Sequence, residues 1–384
     1  MKYQLPTMAE IKNSSSRKLF NVVSLFAGAG GSSTGYRLAG GNVLAINEFI
    51  QEAIDTYSAN YPNVVVFPQD VRELTGEMIL SKLNLKKGEL DILDGSPPCS
   101  SFSSVGSRED GWGKTKVYTK NRTVSKHIQS TDDLFFEYAR VLNEVQPKVF
   151  ITENVKGLSE GKAKELLGST LEQPSLFDDI EQPKTILNEL IKCGYNINYQ
   201  VLNACNFGVP QARKRLFIIG VRNDLNLKPV FPIKNNYFFT VRDAFDCVDE
   251  NNPEHVEQVK MLRADADYYA WGKVLPKLDK NPKKIFYANR ILGGGSYMSM
   301  ARISENLPSP TLTQRGQSKD AAGLCHYEDD RKLTISELKA IQGFPLDYIT
   351  TGDFNQKSER MCRSVPPYLM KAIAENIYRE ILSK

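Results

Sequence analysis

The segment Val22-Val23-Ser24-Leu25-Phe26-Ala27-Gly28-Ala29-Gly30-Gly31-Ser32-Ser33-Thr34-Gly35 decides the fold. It opens with apolar, partly β-branched residues that suit a buried strand, and its glycines follow where that strand must turn sharply into a helix. Gly28, Gly30 and Gly31 allow the backbone to approach a ligand closely. The spacing is not the dinucleotide fingerprint, because the third glycine of G-x-G-x-x-G would fall at Ser33. Two acids lie beyond the next apolar runs. Glu48 follows Val43–Asn47, about 20 residues after Gly28, where an acidic side chain holds ribose hydroxyls. Asp70, in Gln69-Asp70-Val71, follows Val64–Phe67 and is placed to accept from an adenine amino group. Taken alone, each acid reads as an exposed helix cap. Together with the glycines, they suit an adenosine-containing ligand without a pyrophosphate.

Working outward, short apolar runs alternate with amphipathic stretches, as in a parallel sheet wrapped by helices. Further strands are predicted at Leu90–Asp94, Lys148–Thr152, Asn198–Leu202 and Leu216–Val221. Helices are predicted near Ser33–Leu38, Gln51–Asn60, Glu77–Leu83, Asp132–Val145 and Pro183–Cys193. The fold class is therefore α/β, a doubly wound, mostly parallel sheet. After Asn223 prolines, asparagines and short irregular runs dominate to about Asp330, around the turn Gly293-Gly294-Gly295, which predicts a smaller, irregular second domain. Pro367–Leu382 reads as a terminal helix. The acidic stretch from Glu172 to Pro183 reads as a surface loop without an assigned function.

With 384 residues, 41% hydrophobic and 24% charged, the chain can bury a large core, and no apolar run of about 18 residues is present to span a bilayer. The N-terminus lacks the apolar stretch of a secretory signal, so a cytoplasmic protein is expected. Six cysteines are scattered singly and there are only three histidines, a pattern that suggests neither a metal site nor a disulfide framework. A net charge of +4 does not by itself mark a nucleic-acid binder. Its distribution is more telling. Arg108, Lys114, Lys116, Lys120, Arg122 and Lys126 crowd the stretch from Gly106 to Ser130, and a second basic segment runs from Lys273 to Lys319. Either segment alone also reads as a solvated loop.

The fourth predicted strand leads into Gly95-Ser96-Pro97-Pro98-Cys99-Ser100. Two prolines fix dihedrals and stiffen the approach to the cysteine, and a thiolate aimed by a stiff turn is a strong nucleophile. A buried cysteine in a proline turn is the plainer reading of this segment alone.

The chain resembles the DNA cytosine-5 methyltransferase family from Val22 to about Tyr378. The resemblance rests on Phe26–Gly31, on Pro97-Pro98-Cys99, on Thr152-Glu153-Asn154-Val155 and on Gln211-Ala212-Arg213-Lys214-Arg215. Pro310-Thr311-Leu312-Thr313, Arg331-Lys332-Leu333-Thr334 and Gln342-Gly343-Phe344-Pro345 follow in the family's order. It implies a class I methyltransferase fold with Rossmann-like topology. Residues 1–224, completed by 346–384, would be the catalytic domain, and residues 225–345 a target-recognition domain.

The implied cofactor is S-adenosylmethionine, held by Phe26, Ala27, Gly28, Gly30, Gly31, Glu48, Asp70, Val71, Pro97, Leu134, Ser364 and Val365. Cys99 would add to carbon 6 of a flipped cytosine and so make carbon 5 nucleophilic. Glu153 would donate to ring nitrogen 3, Asn154 would orient its neighbours, and Arg213 and Arg215 would hold the carbonyl or a phosphate. The stretch from Gly106 to Ser130 resembles the family's closing loop, lengthened and enriched in lysine. Ser101, Ser103, Lys114, Lys116, Gln211, Arg290, Thr311 and Arg315 are the candidate DNA contacts, with Arg302 and Gln314 as further phosphate contacts.

Implied partners are double-stranded DNA and a cognate restriction endonuclease that acts independently, with the protein itself a monomer. Two other readings stand beside this one: a transfer-RNA cytosine-5 methyltransferase with DNA-type motifs, and a non-catalytic DNA-binding homologue. The sequence departs from the family at Cys362-Arg363, where a Gly-Asn pair is usual, which puts the local cofactor geometry in question.

Overall fold

The computed structural model describes residues 2–97, 116–118, 127–129, 133–160, 167–168, 185–269, 271–278, 280–281, 283–287, 300–313, 317 and 323–384, with the backbone alone at 116–118, 127–129 and 133. The strands are β1 (Asn21–Leu25), β2 (Asn42–Asn47), β3 (Val65–Phe67), β4 (Ile92–Gly95), β5 (Lys116–Tyr118), β6 (His127–Gln129), β7 (Val149–Val155), β8 (Tyr195–Asn203), β9 (Gln211–Ala212), β10 (Lys214–Arg222), β11 (Phe286–Tyr287), β12 (Ala301–Arg302), β13 (Ser309–Pro310) and β14 (Leu324–Cys325). The main sheet has seven strands in the order β3-β2-β1-β4-β7-β10-β8. Neighbours from β3 to β7 are parallel, whereas β10 runs antiparallel to both β7 and β8. The predicted α/β class and mostly parallel sheet are thus present.

The chain winds outward from β1 to β3 and then returns to place β4 on the other side of β1. This reversal makes a topological switch point between β1 and β4, and the carboxyl ends of strands at such a point are the usual ligand position in open α/β sheets. The parallel strands are near-continuous apolar runs because helices cover both sheet faces. One face packs on an apolar cluster with Val22, Ile92, Ile151 and Phe217, and the other on a cluster with Val23, Leu93, Phe150 and Ile218. These residues alternate along their strands, as the two-residue period of a strand requires.

The helices are α1 (Met8–Ser15), α2 (Gly31–Leu38), α3 (Gln51–Asn60), α4 (Gly76–Leu83), α5 (Asp133–Val145), α6 (Ile186–Lys192), α7 (Val241–Phe245), α8 (Pro253–Tyr268), α9 (Ile335–Gln342), α10 (Phe354–Arg363) and α11 (Pro367–Ile377). The terminal helix is α-helical to Ile377 and closes with a π-helical turn over Tyr378–Leu382. The segment after Asn223 is more regular than its composition suggests. Asn252 caps α8 and Pro253 starts it, and the helix then runs for 16 residues.

Helices α1, α9 and α10 each begin in a reciprocal capping box, Thr7 with Glu10, Thr334 with Glu337 and Asp353 with Gln356. The cluster under the first sheet face continues through Val241, Leu262, Ile303, Leu312 and α9, so one apolar core joins the sheet to the later segment. A separate small cluster gathers Ala266, Trp271, Val274, Leu275, Leu278, Met300 and Cys325. Among the described residues, no helix is long and apolar enough to cross a membrane.

Candidate active site

Strand register brings the predicted motifs to one edge. Phe67, Asn47, Leu25, Gly95 and Thr152 are successive partners across β3, β2, β1, β4 and β7. The next residue in each of the last four strands is therefore Glu48, Phe26, Ser96 and Glu153. Strand β7 extends past its predicted end at Thr152 to Val155, so the Glu-Asn-Val residues sit on the sheet itself.

At the β1 end, Phe26 has φ +55°, a left-handed conformation unusual for a bulky side chain and typical of functional turns. Gly28 (φ +54°) and Gly30 (φ +84°) continue the turn, and the space where a Gly28 Cβ would project is open. The buried Glu48 carboxylate accepts from Gly28 N at 2.9 Å and from the amides of Phe49 and Ile50 at 2.9 Å each. Burial pushes its pKa up, opposed by those amides and by the charge of Arg360.

Asp70 caps the 3-10 turn Val71–Glu73 through Arg72 N at 3.0 Å and pairs with the Arg72 guanidinium at 2.8 Å. Val71 and Leu134 are buried in the same apolar cluster against which Phe26 packs. Gly31 meets the C-terminal segment: a Cβ there would lie 2.2 Å from Val365 O and 3.0 Å from Ser364 Cβ. Tyr348 donates to Ala29 O and closes the loop from behind. An open space beside Gly28, an acid beneath it and an orphaned, buried Ser33 hydroxyl at the start of α2 fit a polar, adenosine-sized ligand.

At the β4 end, Asn154 donates from Nδ2 to Pro97 O at 3.1 Å, which ties β7 to the segment leading to Cys99. Next to it, Glu153 Oε1 lies 2.9 Å from Arg215 Nε, with both side chains nearly buried. Burial lowers the pKa of Arg215, and the Glu153 carboxylate offsets part of that cost.

Asp94, behind the turn, accepts from Ser24 Oγ at 2.7 Å and Tyr36 OH at 3.1 Å, and so joins β4 to β1 and α2. Sequence reasoning missed this residue, although a charged residue ending an apolar strand is its visible signal. Burial pushes the Asp94 carboxyl up to about 7, against those two hydrogen bonds.

Two residues of the Gln-x-Arg-x-Arg motif turn inward. Gln211 is fully buried: its Oε1 accepts from Leu312 N at 3.1 Å and its Nε2 donates to Gln342 Oε1. The DNA contact expected of Gln211 is corrected accordingly, because its amide is already engaged inside the protein. Gln342 continues the chain by donating to Met361 O at 2.8 Å and Ser364 O at 2.9 Å.

Arg213, only 3% exposed, donates to the carbonyls of Leu312 at 3.1 Å, Cys362 at 3.0 Å and Arg363 at 3.1 Å. It faces backbone rather than an open base pocket, and Arg215 is the arginine that reaches Glu153. Arg302 is likewise corrected as a phosphate contact. It is 1% exposed and binds the carbonyls of Leu275, Leu278 and His326 and the Asp330 carboxylate. Thr311 is half-buried, and its hydroxyl donates to Ala212 O at 2.9 Å. Cys99, Ser101, Ser103, Lys114, Arg290, Gln314, Arg315 and the Lys116 side chain lie outside the described residues.

The seven-stranded sheet, its switch point and the glycine turn define an α/β methyltransferase fold. A prophage-encoded E. coli protein shares that fold with a TM-score of 0.65 at 22% identity, covering 95% of this chain and 100% of the other. The family model for C-5 cytosine-specific DNA methylase matches residues 20–379, and the chain belongs to that family. It is a DNA (cytosine-5-)-methyltransferase. It is 31% identical to the type II methyltransferase M.Eco47II of Escherichia coli, over 98% of this chain and 82% of the relative. It is 33% identical to M.PspPI of a Psychrobacter strain, over 94% and 79%.

Two predictions follow from these contacts. Arg213→Ala strands three buried carbonyls and should cost about 3 kcal/mol of stability in denaturant unfolding. An unchanged unfolding midpoint would return Arg213 to the base pocket.

Asp94 makes the pH prediction. Its carboxyl is raised from 3.8 to about 7, so the folded protein holds this proton more tightly than the unfolded chain. That stabilisation is full below the unfolded value and is lost as pH rises through about 7. Between pH 5 and 8 the wild type should lose about 3 kcal/mol relative to Asp94→Asn. Parallel denaturation curves for the two proteins at both pH values would contradict this.

Proposed function

We propose that this enzyme transfers a methyl group from S-adenosylmethionine to carbon 5 of a cytosine flipped out of a specific double-stranded DNA sequence. The hydrogen bond from Asn154 to Pro97 O carries the reading. It fastens the Glu153–Arg215 pair to Pro97, two residues before Cys99 in the chain, which supports a role for an acid and a cation beside that nucleophile.

Phe26, Gly28, Gly30, Gly31, Glu48, Asp70, Val71, Pro97, Leu134, Ser364 and Val365 form the cofactor pocket, with Glu48 on the ribose hydroxyls and Phe26, Val71 and Leu134 beside the base. When bound, the cofactor supplies an electrophilic methyl on a sulfonium. Cys99 as thiolate adds to carbon 6 of the cytosine, and the electron pair released toward ring nitrogen 3 is met by a proton that Glu153 relays from solvent. Arg215 steadies the carbonyl oxygen and the charge that develops beside it. Carbon 5 then takes the methyl group, whose bond to sulfur breaks to leave a neutral thioether; a base removes the carbon 5 proton, and Cys99 leaves as thiolate while nitrogen 3 returns its proton to Glu153, which restores the aromatic ring.

Arg213, engaged with backbone carbonyls, acts by holding the strand that carries Arg215. Residues 225–345 form the target-recognition part, and the basic stretches around Lys114, Lys116, Arg290 and Arg315, with Ser101 and Ser103, meet the DNA backbone. Thr311 lies at the join between the two parts. The relatives named type II methyltransferases favour a role in restriction-modification; in this reading the enzyme works as a cytoplasmic monomer beside a separately acting endonuclease.

Bisulfite sequencing of DNA from cells expressing the chain should reveal one methylated cytosine context. Cys99→Ser should abolish transfer while leaving duplex binding within about threefold, since a thiol contributes little to backbone contacts. Unmodified DNA together with methylated transfer RNA would overturn the DNA reading, and residual transfer by the serine variant would remove Cys99 from its role.

A further inference from the structure

Helix α10 brings a second buried cation to the cofactor edge. Arg360 is 8% exposed, and its Nε has no hydrogen-bond partner among the described residues. One Nη lies 3.6 Å from Glu359, beyond hydrogen-bond distance, and Glu359 is already paired with Arg363 at 2.9 Å. A buried guanidinium with an unmet N–H is costly unless an acceptor arrives.

The position of Arg360 indicates where that acceptor comes from. Its carbonyl accepts from Ser364 Oγ at 2.7 Å, so Arg360 stands one helical turn before the residue that packs on Gly31. Its charge is felt at Glu48, whose carboxylate holds Gly28 N. The first turn of α2 follows the same loop and carries no acidic residue, and the Ser33 hydroxyl there is buried without a partner among the described residues. A buried cation standing behind the segment that packs on the start of α2 suits a carboxylate, whose two oxygens match the guanidinium fork.

We propose that Arg360 binds the α-carboxylate at the amino-acid end of the methyl donor. This rests on the reading that the enzyme uses S-adenosylmethionine. It gives the altered C-terminal segment a ligand contact outside the Cys362-Arg363 pair.

Calorimetric titration with S-adenosylhomocysteine and with its decarboxylated analogue, which keeps the adenosine and the amine, tests this without turnover. Arg360→Gln should weaken S-adenosylhomocysteine about tenfold or more and leave the analogue within about twofold. Arg360→Lys, which keeps the charge, should recover part of the loss and guards against a variant that fails to fold. Equal weakening of both ligands, or no weakening of either, would overturn the assignment. If the wild-type protein binds neither ligand, the cofactor reading falls and takes this assignment with it, a result distinct from the other two.

Discussion

The side-chain amide of Gln342 holds together the parts of the molecule that have to work together. It accepts from Gln211, whose own oxygen receives Leu312 N, and it donates to the carbonyls of Met361 and Ser364. Three distant stretches of sequence thereby share one buried chain of hydrogen bonds. In a low-dielectric interior such a chain is rigid when complete and costly when broken. Arg213 runs beside it and clamps Leu312 to Cys362 and Arg363. The stretch at Leu312 and the end of α10 at Cys362 and Arg363 are therefore fixed to the same strand end.

The positions of the reactive groups depend on this framework. Ser364 and Val365, held by Gln342 and by the end of α10, lie so close to Gly31 that only hydrogen fits there. The glycine turn is thus shaped from behind by the last part of the chain, with Tyr348 contributing the hydrogen bond to Ala29. On the other flank, Asp94 ties β1, β4 and α2 at one buried carboxyl group. The Pro97 carbonyl, three residues beyond Asp94 in the chain, is held from β7 by Asn154.

Much of this was legible in the sequence because strand periodicity and glycine turns are local signals. The seven strands of the main sheet lie where apolar runs predicted them, with Val149–Val155 three residues longer at its end because β10 pairs along its full length. Helices α1, α7, α8, α9 and α10 fall outside the predicted elements; α9 carries an apolar face of Ile335, Leu338 and Ile341, whereas the evidence for α1 and α8 is a cap. Thr7-x-x-Glu10 starts α1 and Asn252-Pro253 starts α8, whose surface is largely charged. The inward turn of Gln211 was not legible, because its partner lies 131 positions away and the same amide could as well face a base. Glu48 and Asp70 divide along a similar line. The cap reading describes Asp70 as it stands, whereas Glu48 is buried beneath the glycine turn.

The Cys362-Arg363 departure also takes a different meaning in three dimensions. Helix α10 continues through Arg363, and Ser364 closes it in an extended conformation at φ −60° and ψ 146°, so no left-handed residue is needed and glycine has no conformational advantage. The Arg363 side chain points away to Glu359, and Cys362 is 1% exposed. What these two residues give the site is their carbonyl oxygens, which Arg213 holds, and a carbonyl is present whatever the side chain. The constraint on this edge therefore falls on Arg213 and Gln342, which receive the backbone, and positions 362 and 363 are free to vary within what a helix end and a buried neighbour permit.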